Sequence, residues 1–190
     1  MSWASFDELV LAAKAGDEAA FAALWRELNP AVLRYLSVLA PAAAEDLAAD
    51  VWLEVVRGLG RFEGGVAGFR SWIFTIARHR AVDWRRRAAR QPAAPLPSDL
   101  LVERPAGDDP AAAALDALAT RRALAVIAQL PPDQAEVVTL RVVAGLDVAQ
   151  VAEIVGKRPG TVRVLGHRGL RRLAELVGSG PLLLGWGVTR

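Results

Sequence analysis

The chain has 190 residues, of which 53% are hydrophobic, and a net charge of +2, so disorder throughout is excluded and one large or two small domains fit the length. It has no cysteine and two histidines, His79 and His167, which excludes disulfides, thiolate metal sites and a cysteine nucleophile and argues against a histidine-rich metal centre. No basic stretch followed by an apolar run opens the chain, and no apolar run approaches the roughly 18–20 residues needed to span a bilayer, so the cytoplasm is the expected location.

Alanine, leucine, arginine and glutamate dominate, and β-branched residues rarely run together, which predicts helices. The first is expected at 5–15, with Ser5 as N-cap and Glu8 three residues on. A second is expected at 18–28, stopped by Asn29-Pro30, and a third at 30–39, with Val32, Leu33, Leu36 and Leu39 at helical spacing. A fourth runs from Ala43 to Leu59, ended by Gly58 and Gly60. The glycine-rich stretch 60–68 reads as a loop, and a fifth helix follows from Phe69 to Ala89.

Residues 91–110 hold five prolines and four carboxylates and read as a linker unable to pack a core. Helices are then expected at 111–129, at 133–144 after Leu130-Pro131-Pro132, at 148–155 with Asp147 as N-cap and Gly156 as stop, and at 161–177. A short apolar tail follows, with Leu182, Leu183, Leu184 and Trp186.

The small net charge hides a polarised distribution. Residues 1–57 carry nine acidic and four basic side chains, whereas residues 78–90 carry six arginines against Asp83 alone. A basic block suits a polyanion, and an acidic face suits a basic protein surface.

Three constellations carry chemistry. In 145–173, a short apolar helix, a glycine turn and a basic helix follow one another, the pattern of a helix-turn-helix. Arg163, His167 and Arg171 recur at spacing four on the second helix, suited either to a major groove or to a solvated surface face, while Val162, Leu165, Leu170 and Leu173 lie elsewhere and can pack. Gly166 and Gly169 weaken this helix, either to permit a close approach or because they are tolerated. In 69–87, aromatic rings interleave with arginines. Such a block either stacks unpaired bases and grips phosphates, or buries Trp72 and Phe74 and leaves Arg85, Arg86 and Arg87 as a solvated helix end. In 44–56, Asp46, Asp50 and Glu54 form an acidic row beside an apolar row of Leu47, Val51 and Val55. The two rows either dock a basic helical partner or form a solvated face.

Together these blocks resemble the extracytoplasmic-function sigma factors of bacterial RNA polymerase. Glu45 to Trp52, Arg61-Phe62, Phe69 to Trp72, Ile76 to Arg78, Asp83 and Arg85 to Arg87 are similar to the family's second domain. Leu130-Pro131, Leu140-Arg141, Gly145-Leu146, Glu153 to Gly156, Gly160 to Arg163 and His167-Arg168 are similar to its fourth.

The resemblance implies an all-α fold of two small helical domains, 1–90 and 113–178, joined by a flexible linker at 91–112 and followed by the tail 179–190. It implies that Asp46, Leu47, Asp50, Val51 and Glu54 bind the largest subunits of core RNA polymerase. It implies that Phe62, Phe69, Arg70, Trp72, Arg78, Arg80, Asp83, Trp84 and Arg85 recognise and melt the minus-ten promoter element. Lys157, Arg158, Thr161, Arg163, Val164, His167, Arg168 and Arg171 would read the minus-thirty-five element. An anti-sigma factor is the expected regulator, and no catalytic residue, metal, cofactor or small-molecule substrate is expected. Gly166 and the tail depart from the family pattern. The tail is expected to pack back on the fourth domain, contact a regulator, or stay disordered.

Two other classes fit parts of the chain. A stand-alone helix-turn-helix regulator would leave the acidic row and the arginine–aromatic helix without a purpose. An enzyme would need a phosphate-cradling loop, metal cluster or nucleophile constellation, and Gly64-Gly65 alone is none of these.

Overall fold

The structure, a computed structural model, describes residues 3–90 and 110–178. The expected linker between 91 and 109 and the tail 179–190 lie outside the described residues. Those described are helical throughout their regular elements: α1 (Trp3–Lys14), α2 (Glu18–Leu39), a 3₁₀ turn (Pro41–Ala43), α3 (Ala44–Leu59), α4 (Val66–Arg90), α5 (Pro110–Ile127), α6 (Pro132–Val142), α7 (Val148–Val155) and α8 (Pro159–Gly178). The helix α1 begins at Trp3, ahead of the expected cap at Ser5, and α5 starts with a proline in its first turn, where the missing N–H costs nothing.

One boundary differs in a way that matters. Asn29-Pro30 does not divide two helices, and α2 runs through it for 22 residues. Its buried positions Ala20, Leu24, Leu28, Val32, Tyr35 and Leu36 form one stripe on both sides of the proline. Burying several large side chains, at about 1.5–3 kcal/mol each, outweighs a proline penalty of about 3 kcal/mol. Asn29 is also engaged, since the Trp52 indole N–H donates to its Oδ1 at 2.9 Å and pins α3 to α2.

The helices α1 to α4 pack around α2. In the other half, α6 packs against α8, and α7 against both. The two halves also meet. The C-terminal part of α2 packs on α5 and α6, and α4 packs on α7. Val137, Leu140, Leu146, Val151 and Val155 thereby join one continuous core with Tyr35, Phe69 and Phe74 of the first half. A second, smaller core of Leu124, Ile127, Leu130, Ala135 and Val138 sits under α5, and Val38 of α2 leans on it.

Candidate nucleic-acid interface

The α7–turn–α8 unit is built by local chemistry. The Asp147 carboxylate accepts from the Gln150 backbone N–H at 2.9 Å, and the Gln150 side chain accepts from the Asp147 N–H at 2.8 Å, a reciprocal cap that fixes the start of α7. Gly156 ends α7 at φ +67°, a left-handed conformation that favours glycine. Ahead of this unit, Arg141 Nη1 donates to the Leu146 carbonyl at 2.6 Å and closes the α6–α7 turn.

The helix α8 buries Val162 and Gly169, with Leu165 half-buried. A Cβ on Gly169 would lie 2.6 Å from Val138 Cγ2, so α6 and α8 approach more closely than any larger residue allows. At Gly166 the nearest atom, Val137 Cγ1, would be 3.7 Å away, ordinary contact. The two glycines thus differ, the first required by packing and the second merely accommodated. Leu170 does not pack as its spacing suggests: it is 52% exposed, because the α6 side of the helix is taken by Val162, Leu165 and Gly169.

Six expected groove-reading residues, Thr161, Arg163, Val164, His167, Arg168 and Arg171, are exposed on α8. Arg158 is exposed in the preceding turn, and Arg172, which the spacing argument missed, is exposed beside Arg171. Arg171 Nε meets Glu175 at 3.1 Å, an exposed pair. Lys157 is half-buried and held to Asp133 at 2.9 Å. The outer side of α8 is therefore basic, largely solvated, and braced from below.

The arginine–aromatic helix divides. Phe69 is fully buried and Phe62 nearly so, and Trp72 stacks on Phe62 with centroids 5.0 Å apart. Trp72 Cζ2 also lies 2.7 Å from where a Cβ on Gly58 would stand. These three rings hold the loop after α3 against α4, so the expected role of Phe62 and Phe69 in stacking bases is corrected: both are buried in the core, whereas Trp72 is half-buried, with one face on Phe62. Trp84 is half-buried against the main core. Arg80 pairs with Glu54 across α3 and α4, which joins an expected DNA contact to an expected polymerase contact. Asp83 and Arg85 are exposed, as are Arg86, Arg87, Arg90 and His79.

Arg70 and Arg78 face the second half of the chain. Arg70 Nη1 donates to the Ala144 carbonyl at 3.2 Å. Arg78 Nε donates at 2.8 Å to Glu136 Oε1 on α6, and the same oxygen accepts from the Tyr35 hydroxyl at 3.1 Å. Glu136 is only 9% exposed. Burial first, and then the adjacent carboxylate, push the Tyr35 phenol well above its ordinary range.

On α3 the acidic row is exposed at Asp46 and Asp50 and half-exposed at Glu54. Leu47, Val51 and Val55 turn inward and are buried, so the expected apolar docking row is corrected: it belongs to the protein's own core. The exposed apolar residues of this helix are Leu53 and Val56. Leu53 follows Asp46 by seven residues and Asp50 by three, and Val56 follows Leu53 by three, a helical spacing readable in the sequence once Leu47 and Val51 are assigned to the core.

Among the described residues no helix is long and apolar enough to cross a membrane, and no cluster of His, Asp and Glu is arranged to hold a metal ion. The two halves carry separate family signatures. Residues 24–91 match Sigma-70 region 2, and residues 120–173 match Sigma-70, region 4. The chain is 37% identical over 179 residues to the ECF RNA polymerase sigma factor ShbA of Streptomyces griseus, covering 88% of this chain and 93% of that protein. It is 33% identical over 172 residues to the ECF RNA polymerase sigma factor BldN of Streptomyces coelicolor, covering 90% of this chain but only 65% of BldN. In three dimensions it is similar to the sigma factor RpoE of Bartonella quintana, solved with the anti-sigma factor NepR, with a TM-score of 0.62, 22% identity, and coverage of 84% of this chain and 97% of RpoE. The order of regions 2 and 4 in one short helical chain defines an RNA polymerase sigma factor of the sigma-70 class. More narrowly, the chain belongs to the ECF RNA polymerase sigma factors.

Proposed function

We propose that the chain binds core RNA polymerase in the cytoplasm and directs promoter-specific initiation through three surfaces, with no catalytic chemistry of its own. The exposed face of α3, Asp46, Asp50, Leu53 and Val56 with Glu54 at its edge, docks on the polymerase's largest subunits. Carboxylates around two apolar side chains suit a basic helical partner. The C-terminal half of α4, with Arg78, Arg80, Asp83, Arg85 and the arginines beyond, holds the opened minus-ten strand. The outer side of α8 reads the minus-thirty-five duplex. Residues 1–90 and 113–178 act as the two functional modules, joined through 91–112.

The observation that carries this reading is α8: a helix thin on its buried side, with Thr161, Arg163, Val164, His167, Arg168 and Arg171 all exposed on the other. Arginine pairs with guanine edges and with phosphates, and a helix of this kind fits a major groove. An anti-sigma factor is the proposed regulator, by analogy with RpoE, which is solved bound to one. Run-off transcription with purified core polymerase and a matching promoter tests the whole reading. Specific initiation that depends on the added chain is expected, and binding to duplex operator DNA without any polymerase dependence would overturn it in favour of a stand-alone regulator.

A further inference from the structure

We infer that Glu136 is an internal stand-in for a DNA phosphate, closing the free chain on itself and withholding Arg78 and Arg70 from the promoter strand. The inference rests on the proposed role of α4 in holding that strand.

Glu136 sits on α6, in the second half of the chain, yet its partners are both in the first half. Tyr35 comes from α2 and Arg78 from α4, and both reach the same carboxylate oxygen. A buried carboxylate without partners would be costly, and two donors from the opposite half offset that cost only while the halves are closed. Arginine presents the same guanidinium fork to a carboxylate as to a phosphate, so one ligand excludes the other. Arg70 is held in parallel by the Ala144 carbonyl, an acceptor at the α6–α7 turn, 3.2 Å away. Four nearby groups, Arg85, Arg86, Arg87 and Arg90, remain exposed. The closed chain thus keeps a basic surface for first encounter and withholds the two α4 arginines bonded to the second half. Separation of the halves returns Glu136 to water, where it needs no partner, and frees both arginines together.

The absence of cysteine makes the test clean. Cysteines introduced as Ala22→Cys on α2 and Ala149→Cys on α7, both exposed and outside every proposed contact surface, accept spin labels on opposite halves. Pulsed electron–electron distance measurement on the free, full-length chain is expected to give one short, narrow distribution. Glu136→Ala is expected to raise the open-to-closed ratio about tenfold, the worth of a charge-assisted hydrogen bond, and Tyr35→Phe to raise it less. The gentler Glu136→Gln, which keeps the side chain's volume, is expected to fall between them, and circular dichroism of each variant checks the helices. The free Glu136→Ala chain is expected to bind a single-stranded minus-ten oligonucleotide about tenfold more tightly, with no such gain in the polymerase holoenzyme, where the inference requires the halves to be parted. A broad, long distribution in the unaltered chain, or a short one that no Glu136 variant moves, overturns the latch. Opening without tighter oligonucleotide binding overturns the masking. Arg78→Ala in the holoenzyme then locates the fault: undiminished promoter melting means that the strand-holding role of α4 has failed, whereas impaired melting leaves that role standing and rejects the internal mimic alone.

Discussion

The Tyr35 hydroxyl donates to Glu136 Oε1 at 3.1 Å across 101 residues of sequence, and it does so from a fully buried position. Burial, and then the neighbouring carboxylate, favour the protonated phenol. The folded value of Tyr35 is raised well above the ordinary value of about 10. A raised folded value means that the unfolded chain loses this proton first as pH rises. The contribution to stability is therefore complete below the unfolded value and lost as pH climbs toward the folded one. Urea unfolding between neutral pH and pH 11 is expected to show stability falling above about pH 10, and Tyr35→Phe is expected to flatten that fall. At neutral pH the same variant is expected to cost about 1 kcal/mol, one hydrogen bond with Arg78 still serving the carboxylate.

The two glycines of α8 give opposite expectations. Gly169→Ala must displace Val138 or part α6 from α8, and a loss of about 1–3 kcal/mol is expected in chemical denaturation. Gly166→Ala meets only ordinary contact, and a gain of up to about 1 kcal/mol is expected from helix propensity. A destabilising Gly166→Ala would show that the helix is packed more tightly there than its 3.7 Å clearance implies.

Arg163→Ala and His167→Ala are expected to weaken minus-thirty-five recognition while leaving polymerase binding intact. If Arg163 reads a base edge, its loss costs about 1–3 kcal/mol and relaxes specificity at one position. If it grips a phosphate, binding weakens for all sequences and the salt dependence becomes shallower by about one ion. Titrations of holoenzyme against promoter variants at several salt concentrations separate the two.

On α3, position decides the effect. Asp50→Arg and Leu53→Asp alter exposed residues, so polymerase binding is expected to fall at least tenfold in a pull-down or anisotropy titration with the melting temperature unchanged. Leu47→Ala opens a hole beneath the same helix, and a loss of about 2–5 kcal/mol of stability is expected instead. Reduced polymerase binding by Leu47→Ala with full stability would return that side chain to the docking face.

Much of this was readable in the sequence, for identifiable reasons. The helix α7 matched its expected bounds because Asp147 and Gly156 are strong local signals, a cap and a left-handed stop. The basic side of α8 was legible for the same reason: spacing along a single helix fixes which residues share a side. Pro30 misled because a local rule yielded to burial along the whole of α2. Leu47 and Val51 misled differently. Periodicity shows that a helix has an apolar row but not whether that row is covered by its own chain or by another. Phe62 and Phe69 fell to the same ambiguity, since aromatic rings suit a base stack and a core equally well. The bond between Tyr35 and Glu136 had no sequence signal at all, because it depends on how two separately patterned halves meet.

The long helix α2 has a consequence for anyone dividing the molecule. Its N-terminal turns are covered by α1, α3 and α4, but Tyr35 and Val38 near its other end lean on α5 and α6. A fragment cut after residue 90 would uncover that end, exposing the α6-facing side of Tyr35, still edge-on to Phe74, and Val38 beside the freed Arg78. Such a fragment is expected to be stickier in solution than the intact chain, so its affinities would report an artificial surface as well as a natural one.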